Sequence, residues 1–415
     1  MITTINNKHN KLNVPNSTDK GNVIRNLPNL RFPEFREEWE EHELSEYLDF
    51  KNGLNPKPNQ FGKGIKFISV MDILNNAVIT YDCIRASVSV SEEDMSAFSV
   101  QKGDILFQRS SETLEDVGRA NVYVDDIPAV FGGFVIRGKQ KTNYNPLFFK
   151  YLLSSPLARK RIIRMGAGAQ HFNIGQEGLS KVKLPFACID EQNKIAKILY
   201  LLDKRISLQN KIIEDLKKLK SAIIEIEYTP NAKTTSHIGD VIEQISKRNK
   251  NNAIQNVLSV SNRQGFIKQS DQFENRNVAS EDTSNYKIVE KNDFAFNPAR
   301  INVGSIARLT TLEKGIVSPM YICFRTQENV APEYIDFFFE SKHFYCEIQK
   351  RLEGSVRQCL SFEGLCNIPI SLPSLEMQQR IGKRLLTLGQ KIKTETDLLE
   401  LLNKQKQYLL RQMFI

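Results

Sequence analysis

The chain has 415 residues, which at roughly 150 residues per domain predicts about two to three domains. Its 57 Lys and Arg against 48 Asp and Glu give a formal net charge of +9, which is a weak indication of a polyanionic partner. The 40% hydrophobic and 25% charged residues exclude wholesale disorder, and no apolar run is long enough to span a membrane.

Cysteine and histidine usage favours neither a metal centre nor a disulfide framework. The six cysteines form no Cys-x-x-Cys pair, and the five histidines are scattered. His343 and Cys346 have a ligand-like spacing, but no second pair accompanies them. The N-terminal residues are polar and lack the apolar centre of a secretory signal. We therefore expect a cytoplasmic protein with free thiols, no bound metal and no membrane contact.

Residues 1–28, rich in Asn and Lys, are predicted to form a disordered tail. Residues 29–188 are predicted to form a β-rich globular part. Its strand-like runs include Phe67-Ile68-Ser69-Val70, and a Phe/Tyr-rich helical stretch follows Asn145-Pro146.

A long helix is predicted over residues 189–229. Steps of four and three residues from Ile195 to Ile223 meet apolar side chains at seven of nine positions, which is the period of a coiled-coil seam. Leu184-Pro185 precedes the helix, Asp190 is a suitable N-cap, and no proline interrupts the run. About 38 helical residues would extend roughly 57 Å.

Residues 230–374 repeat the framework of the first globular part with different polar loops. Val257-Leu258-Ser259-Val260 resembles Phe67-Ile68-Ser69-Val70, and Ala331-Pro332 stands where Asn145-Pro146 does. The offset drifts between 186 and 194 residues, so the loops differ in length. Two copies of one scaffold with divergent polar loops indicate two related but different recognition tasks.

A second long helix is predicted over residues 375–415, and it matches the first at an offset of 186 residues without a gap. The two apolar stripes can bury each other within one chain; pairing with another chain is the alternative. Polar breaks at Gln209, Lys220, Glu395 and Lys406 would fix the register. The predicted seam residues are Ile195, Leu199, Leu202, Ile206, Ile213, Leu216, Ile381, Leu385, Leu388, Ile392, Leu399 and Leu402.

These elements predict an α+β fold with a pseudo-two-fold internal repeat, in which two β-rich domains alternate with two long helices. The opening motif Leu30-Arg31-Phe32-Pro33-Glu34-Phe35…Trp39 and the helix-start motifs Leu184-Pro185…Asp190-Glu191-Gln192 and Leu372-Pro373…Glu376-Met377-Gln378 accompany this order. The whole pattern resembles the specificity subunit of type I restriction-modification systems, which serve host defence. The resemblance covers nearly all of the chain beyond residue 28.

The resemblance implies that each globular part is a target recognition domain that reads one half of a split sequence in double-stranded DNA. It also implies that the helices pair as an antiparallel intramolecular coiled coil, hold the domains apart and dock two methyltransferase (modification) subunits. Restriction/translocase subunits are further partners in this family. The opening segment from Leu30 should pack near the C-terminal helix.

Catalytic motifs are missing from the sequence. Asn145-Pro146-Leu147-Phe148 departs from the Asn-Pro-Pro-aromatic motif of adenine methyltransferases at its third residue. Gly166-Ala167-Gly168-Ala169 does not follow a strand-like run, and no phosphate-binding Gly-x-x-x-x-Gly-Lys-Ser/Thr occurs. We therefore expect no catalysis and no cofactor on this chain. S-adenosylmethionine, ATP and Mg are expected on partner subunits.

Three loops in each globular part concentrate residue types that contact bases in the major groove. The first follows the Ile-Ser-Val run, the second follows Phe107 or Phe296, and the third follows Gly168 or Gly354. Basic residues 159–161 and Arg164 are candidates for phosphate contacts, which position without specifying. The predicted DNA contacts are Asp72, Gln108, Arg109, Ser110, Arg119, Arg164, Gln170, His171, Asn173, Asn262, Arg263, Asn297, Arg300, Arg308, Arg357, Gln358 and Ser361.

Two other interpretations remain open at this point. The chain could be a coiled-coil scaffold or oligomerisation protein whose two globular parts bind protein or ligand. It could also be an enzyme whose catalytic residues are not evident from the sequence. The net positive charge and the divergent polar loops favour the DNA-reading interpretation over both.

Overall fold

The computed structural model describes residues 3–4, 26–230, 236–262, 264–269, 282–354 and 358–415. The predicted tail therefore lies almost entirely outside the described residues, and so do two predicted DNA contacts, Arg263 and Arg357. The chain divides into two compact units. Unit 1 comprises Met1–Lys211 and Asp397–Ile415, and unit 2 comprises Ile212–Thr396.

Unit 1 contains fourteen short strands and six short helices among its described residues, and α7 begins in it. The strands are β1 Thr3–Thr4, β2 Leu30–Arg31, β3 Glu40–Glu43, β4 Leu48–Asn52, β5 Phe61–Ile68, β6 Ser87–Val88, β7 Ser99–Val100, β8 Ile105–Gln108, β9 Ser110–Ser111, β10 Ala120–Val122, β11 Ala129–Phe131, β12 Val135–Gln140, β13 Phe172–Asn173 and β14 Lys183–Phe186. The helices are α1 Leu44–Tyr47, α2 Val70–Asn75, α3 Glu92–Phe98, α4 Pro146–Ser154, α5 Pro156–Ile163, α6 Gln176–Ser180 and α7 Ile189–Tyr228.

Unit 2 repeats this order, with fewer elements among the residues that the structure describes. Its strands are β15 Ser236–His237, β16 Ile242–Ile245, β17 Val257–Ser261, β18 Gly265–Lys268, β19 Lys287–Glu290, β20 Phe294–Phe296, β21 Ile306–Arg308, β22 Lys314–Val317, β23 Ile322–Thr326 and β24 Pro369–Ile370. Its helices are α8 Pro332–Phe338, α9 Lys342–Gln349, α10 Phe362–Cys366 and α11 Leu375–Gln412, and α11 ends in unit 1.

The sheets of the two units have the same strand order, which confirms the internal repeat. Unit 1 has one sheet in the order β10-β8-β12-β4 and another in the order β6-β5-β11-β7. Unit 2 has the matching sheets β21-β20-β23-β16 and β18-β17-β22-β19. Each second sheet contains one parallel pair, in which Phe67 lies opposite Val130 and Val257 lies opposite Ile316. The strand register thus supports the sequence match between Phe67 and Val257.

The central strand of each first sheet is buried on both faces. Ile105 and Phe107 of β8 face one apolar cluster while Leu106 faces another. Phe294 and Phe296 of β20 likewise face away from Ala295. Because side chains alternate along a strand, a continuous apolar run fits a strand that lies between two cores.

The two long helices α7 and α11 pair with each other as an antiparallel coiled coil within the chain. In unit 1 the carboxylate of Asp203 on α7 forms an ion pair with the ammonium group of Lys406 on α11, at 2.6 Å. The Trp39 side chain contacts Glu191 at the start of α7 and Phe414 just after α11, so the end of one helix lies near the start of the other. All of the predicted seam residues are buried or half-buried.

The opening motif is anchored to the start of α7. Arg31 donates two hydrogen bonds to the fully buried carboxylate of Glu191, at 2.7 and 2.8 Å, and the Trp39 indole N–H donates a third at 3.1 Å. The Trp39 and Phe414 ring centroids are 6.1 Å apart. This contact confirms that the opening segment packs near the C-terminal helix.

No helix in the described part of the chain is both long enough and apolar enough to cross a membrane. Within the same residues, no three His, Cys, Asp or Glu side chains gather into a group that could hold a metal ion. All six cysteines are free thiols.

Candidate nucleic-acid interface

The predicted contact loops of unit 1 converge at one end of its sheets, which we call the loop end of unit 1: residues 109–119, 132–134 and 164–175. Strand β9 pairs with β13, and the backbone N–H of Ile174 donates to the carbonyl of Arg109 at 2.9 Å. The hydroxyl of Ser110 donates to the side-chain oxygen of Asn173. These contacts join the second and third predicted loops into one surface.

The loop end of unit 2, formed by residues 262, 297–305, 318–321 and 358–361, repeats the backbone connection between the second and third loops. The backbone N–H of Leu360 donates to the carbonyl of Pro298 at 3.0 Å, as Ile174 does to Arg109 in unit 1. The hydroxyl of Ser305 donates to the carbonyl of Val260 at 3.1 Å, which ties this end to the end of β17. The framework of the surface is thus repeated although its side chains differ.

Most of the predicted DNA contacts at these loop ends have side chains open to solvent, as a base or phosphate contact requires. In unit 1 the half-buried members are Arg109 and Ser110, and the exposed members are Arg119, Arg164, Gln170, His171 and Asn173. In unit 2 the exposed members are Asn262, Arg300 and Gln358. Arg119 also pairs with the Asp116 carboxylate at 2.6 Å, which holds it on the surface of its own loop.

Four predicted contacts instead stabilise the protein's own turns and helix starts. Asp72 is buried, and its carboxylate accepts from the backbone N–H and the hydroxyl of Ser69 at 2.8 and 2.7 Å, which caps α2. Gln108 is buried and donates to the Ser110 carbonyl at 2.9 Å. Asn297 and Ser361 accept from backbone N–H groups two and three residues ahead. Residue type alone could not separate these capping roles from surface contacts.

Arg308 is the largest departure from the predicted interface. Its guanidinium is buried and pairs with the carboxylates of Glu333 and Asp336, each at 3.1 Å. Burial raises the pKa of Asp336, and the neighbouring Arg308 opposes that rise. The strand register also places Val122 of β10, rather than Arg119, at the position equivalent to Arg308. Arg308 therefore lies in the protein interior, and the prediction that it contacts DNA is corrected.

A family model described as "Type I restriction modification DNA specificity domain" matches residues 36–218 and 230–404, so both units and most of both long helices are covered. The chain belongs to this type I restriction-modification DNA specificity family. Membership accounts for the duplicated topology and for the recurrence of one loop framework at two sites.

Relatives of this specificity chain share its length as well as its sequence. A putative type I restriction enzyme MjaX specificity subunit from Methanocaldococcus jannaschii is 25% identical over 415 aligned residues, covering 92% of this chain and 93% of the relative. The MjaVIII specificity subunit of the same organism is 25% identical over 275 aligned residues, which cover 59% of this chain and 62% of that relative.

Solved structures show the same fold. The crystal structure of a type I restriction-modification S subunit from M. genitalium has a TM-score of 0.60 at 16% identity, and the match covers 94% of this chain and 99% of that one. A structure described as showing complex assembly and conformational transition of the type I R-M system has a TM-score of 0.50 at 13% identity, covering 90% and 96%.

Two basic residues of α5 in this specificity chain make contacts within the protein, and those of Arg159 stabilise the loop end of unit 1. The Arg159 guanidinium donates to the carbonyls of Glu115 and Val117, and burial, with a contribution from Arg119, lowers its pKa to about 10. Arg161 pairs with Glu41 and donates to the Lys183 carbonyl. Their predicted role as phosphate contacts is thus replaced by an internal one, whereas Arg164 remains exposed.

The sequence interpretation missed one segment of each loop end, the turn between β11 and β12 in unit 1 and the turn between β22 and β23 in unit 2. Gly132-Gly133 in the first turn and Ser318-Pro319 in the second are turn-forming pairs that could have located them. The turn of unit 1 lies beside the predicted second loop, because the backbone N–H of Arg109 donates to the Phe134 carbonyl at 2.9 Å. In unit 2 the end of β17 links the turn to the second loop, because Val260 donates to the Tyr321 hydroxyl at 3.4 Å and accepts from the Ser305 hydroxyl at 3.1 Å.

Proposed function

We propose that this chain is the DNA sequence-recognition subunit of a type I restriction-modification complex, and that each unit reads one half of a bipartite target. One observation carries the proposal: the two units present the same loops at the same end of the same sheets, with different exposed polar residues. A repeated framework with changed side chains suits two half-sites of different sequence. The exposed Arg, Asn and Gln side chains at these loop ends are types that hydrogen-bond base edges.

We further propose that α7 and α11 set the gap between the half-sites. Helix α7 has 40 residues and would extend about 60 Å, and its first part belongs to unit 1 while the rest belongs to unit 2. In this proposal the apolar seam makes the helix pair stiff, because each helix supports the other. The length of such a helix pair would determine the distance between the two DNA-reading surfaces, and therefore the gap between the half-sites.

The helices are also the proposed docking surface for two methyltransferase subunits, with restriction/translocase subunits as further partners. A second apolar stripe supports this role: exposed apolar side chains recur on α7 at successive steps of seven, four, seven and seven residues. The members of this stripe are Leu201, Leu208, Ile212, Leu219 and Ile226. Ile226 keeps 77% of its surface exposed, which is costly for a helix with no partner on that face.

Methyl transfer and cleavage are assigned to the partners in this proposal, with S-adenosylmethionine, ATP and Mg bound there. The chain itself then works in the cytoplasm as a non-catalytic reader of chromosomal and incoming DNA.

Genome-wide methylation mapping with and without this chain tests the proposal. We expect methylation at one bipartite sequence that disappears when the chain is removed and returns when it is restored. In vitro, the chain with its methyltransferase partner should bind duplexes of that sequence more tightly than scrambled duplexes, and the affinity should fall steeply with salt. Methylation that persists without the chain would contradict the proposal.

A matched insertion tests the spacer role. Seven residues added after Lys211 in α7, with seven more after Thr396 in α11, preserve the heptad and lengthen the pair by about 10.5 Å. The mapped gap should lengthen, by up to about three base pairs at about 3.4 Å per pair, while both half-sites stay the same. An unchanged gap would contradict the spacer role. An insertion of equal length in the exposed turn at Asp126 is the control.

A further inference from the structure

Two exposed apolar side chains occupy equivalent positions in the two units. In unit 1 Phe131 lies opposite Ile68 and Ile136 lies opposite Phe107. In unit 2 Val317 lies opposite Leu258 and Ile322 lies opposite Phe296. Ile136 lies five positions after Phe131 in the sequence, and Ile322 lies five positions after Val317, so the two turns have the same length. Phe134 of the first turn and Met320 of the second both lie three positions into this interval and therefore correspond to each other.

Both turns are closed in the same way. The backbone N–H of Val135 donates to the Gly132 carbonyl at 2.8 Å, and that of Tyr321 donates to the Ser318 carbonyl at 3.1 Å. A Cβ atom added at Gly133 would lie 1.9 Å from the side-chain oxygen of Asn55, so the first turn is packed tightly against its neighbour. The residue at the tip is therefore held outward by a fixed backbone.

The exposure at these tips is large for apolar residues. Phe134 keeps 69% of its surface exposed and Met320 keeps 60%. A single exposed apolar residue is ordinary on a protein surface. Here the exposure recurs at one register position in two units whose loops have otherwise diverged, and it recurs where predicted base contacts converge.

The surroundings of the turn in unit 1 point to DNA as the molecule that the exposed tip contacts. Arg109, a predicted base contact, donates through its guanidinium to the Gly133 carbonyl at 3.2 Å and through its backbone to Phe134. Asn173 and His171 of the same loop end are exposed polar residues. The apolar side chain at the tip is thus surrounded by polar and basic side chains. This arrangement suits DNA, because a base offers an apolar face or a methyl group to the tip while the neighbouring phosphates can meet the polar and basic side chains.

We propose that Phe134 and Met320 are direct apolar base contacts, one in each half-site, and this inference rests on the proposed function. Neither side chain can hydrogen-bond a base edge. Each would press against a thymine methyl group in the groove or enter an opened base step, as apolar wedge residues do. The two units would then combine hydrogen-bond readout from their loops with a shape contact from their turns.

The test uses the full chain bound to its methyltransferase partner and duplexes that carry the bipartite target mapped with the unsubstituted chain. Phe134→Ala and Met320→Ala should each weaken target binding about tenfold. Each should relax base preference in one half-site only, and in different halves. Ile127→Ala is the control, because Ile127 is 53% exposed at the other end of β11.

Two further arms distinguish the source of the contact. Replacing thymines of the target by uracil removes the methyl groups and should weaken binding of the unsubstituted chain, but not of the alanine variant, if the methyl is contacted. Rising 2-aminopurine fluorescence at one step, lost in the alanine variant, would instead show an opened step. Either result supports the inference.

Selective binding by the unsubstituted chain, with unchanged affinity and base preference in both alanine variants, would overturn the inference and leave the proposed function intact. Loss of methyltransferase assembly by the alanine variants, with DNA binding retained by the assembled fraction, would also overturn it, since the tips would then contact protein. Absence of sequence-selective binding by the unsubstituted chain would refute the proposed function itself, and the inference with it.

Discussion

Gln192 and Gln378 make the same two backbone hydrogen bonds, one residue in each unit. The side-chain oxygen of Gln192 accepts from the Asn145 N–H at 3.0 Å, and its amide donates to the Ala187 carbonyl at 2.9 Å. Gln378 accepts from Ala331 at 3.0 Å and donates to Pro373 at 2.8 Å. Each glutamine thereby joins the start of a long helix to the start of a Phe/Tyr-rich helix.

Removing either glutamine should destabilise the fold by a similar amount. Gln192→Ala or Gln378→Ala leaves a backbone N–H without its partner, which costs about 1–3 kcal/mol for a buried group. Urea unfolding measures the loss in free energy of unfolding. Gln379→Ala, at an exposed position on α11, is the control and should stay within about 0.5 kcal/mol of the unsubstituted chain. Equal stability of all three variants would refute this role.

Asp203 makes the stability of unit 1 sensitive to acid. Its carboxylate meets the ammonium groups of Lys150 at 3.2 Å and Lys406 at 2.6 Å and the Tyr151 hydroxyl at 2.8 Å. Burial alone would raise the pKa of Asp203, but these three partners outweigh it and hold the pKa below the ordinary value of 3.8. A lowered carboxyl pKa gives stability that is complete above pH 3.8 and is lost as pH falls through the folded-state value.

Asp203→Asn should therefore cost about 3 kcal/mol of unfolding free energy at pH 7, because two buried or half-buried ammonium groups lose their counter-ion. The difference from the unsubstituted chain should shrink as pH falls below 3.8. Unfolding by urea at a series of pH values measures it. Glu400→Gln, which removes an exposed i,i+4 pair with Lys404, should change little at any pH. A difference that stays constant with pH would contradict the assignment.

Substitution of Arg308 should lower the stability of the protein, whereas substitution of Arg300 should weaken DNA binding. Arg308→Ala leaves the carboxylates of Glu333 and Asp336 without their buried partner and should cost about 3–5 kcal/mol. Arg300 is exposed, so Arg300→Ala should stay within about 0.5 kcal/mol of the unsubstituted chain and weaken binding at the second half-site. Parallel unfolding and DNA-binding titrations measure both. If Arg308→Ala instead weakened DNA binding without loss of stability, Arg308 would be a DNA contact and the assignment to the interior would be wrong.

The exposed stripe on α7 should be needed for assembly and not for folding. Leu208 is 59% exposed, so Leu208→Lys should leave the unfolding transition unchanged. The same substitution would bury a charge under a docked methyltransferase and should sharply reduce co-purification of that partner. Ile127→Lys, at another exposed apolar residue, is the matched control. Full assembly by Leu208→Lys would place the methyltransferase elsewhere.

The long helices and the internal repeat could be predicted because their signals lie within the sequence itself. A heptad is read from local spacing, and the offset of 186 residues is read by aligning the chain with itself. The heptad spacing also predicted which residues form the seam. It placed the polar residues Gln209 and Glu395 there, and both are buried.

The interface was harder to predict because the role of a polar side chain depends on its partners in space. Glu333 and Asp336, which form ion pairs with Arg308, lie 25 and 28 residues away from it in the sequence. The Ile-Ser-Val run also has different structures in the two units, since Ser69 is the N-cap residue of α2 while Ser259 lies inside β17. Asp72, three residues after Ser69, was a readable capping signal in the first case.

The central claim is that each unit reads its own half of the target, and a domain exchange tests it most directly. Residues 45–180 are replaced by the equivalent part of a family member with a different mapped target, and residues 239–366 are exchanged in a reciprocal variant. Genome-wide methylation mapping then reads both half-sites. We predict that each exchange changes one half, a different half in each variant, and leaves the other half and the gap unchanged. A change in both halves from a single exchange would contradict the account.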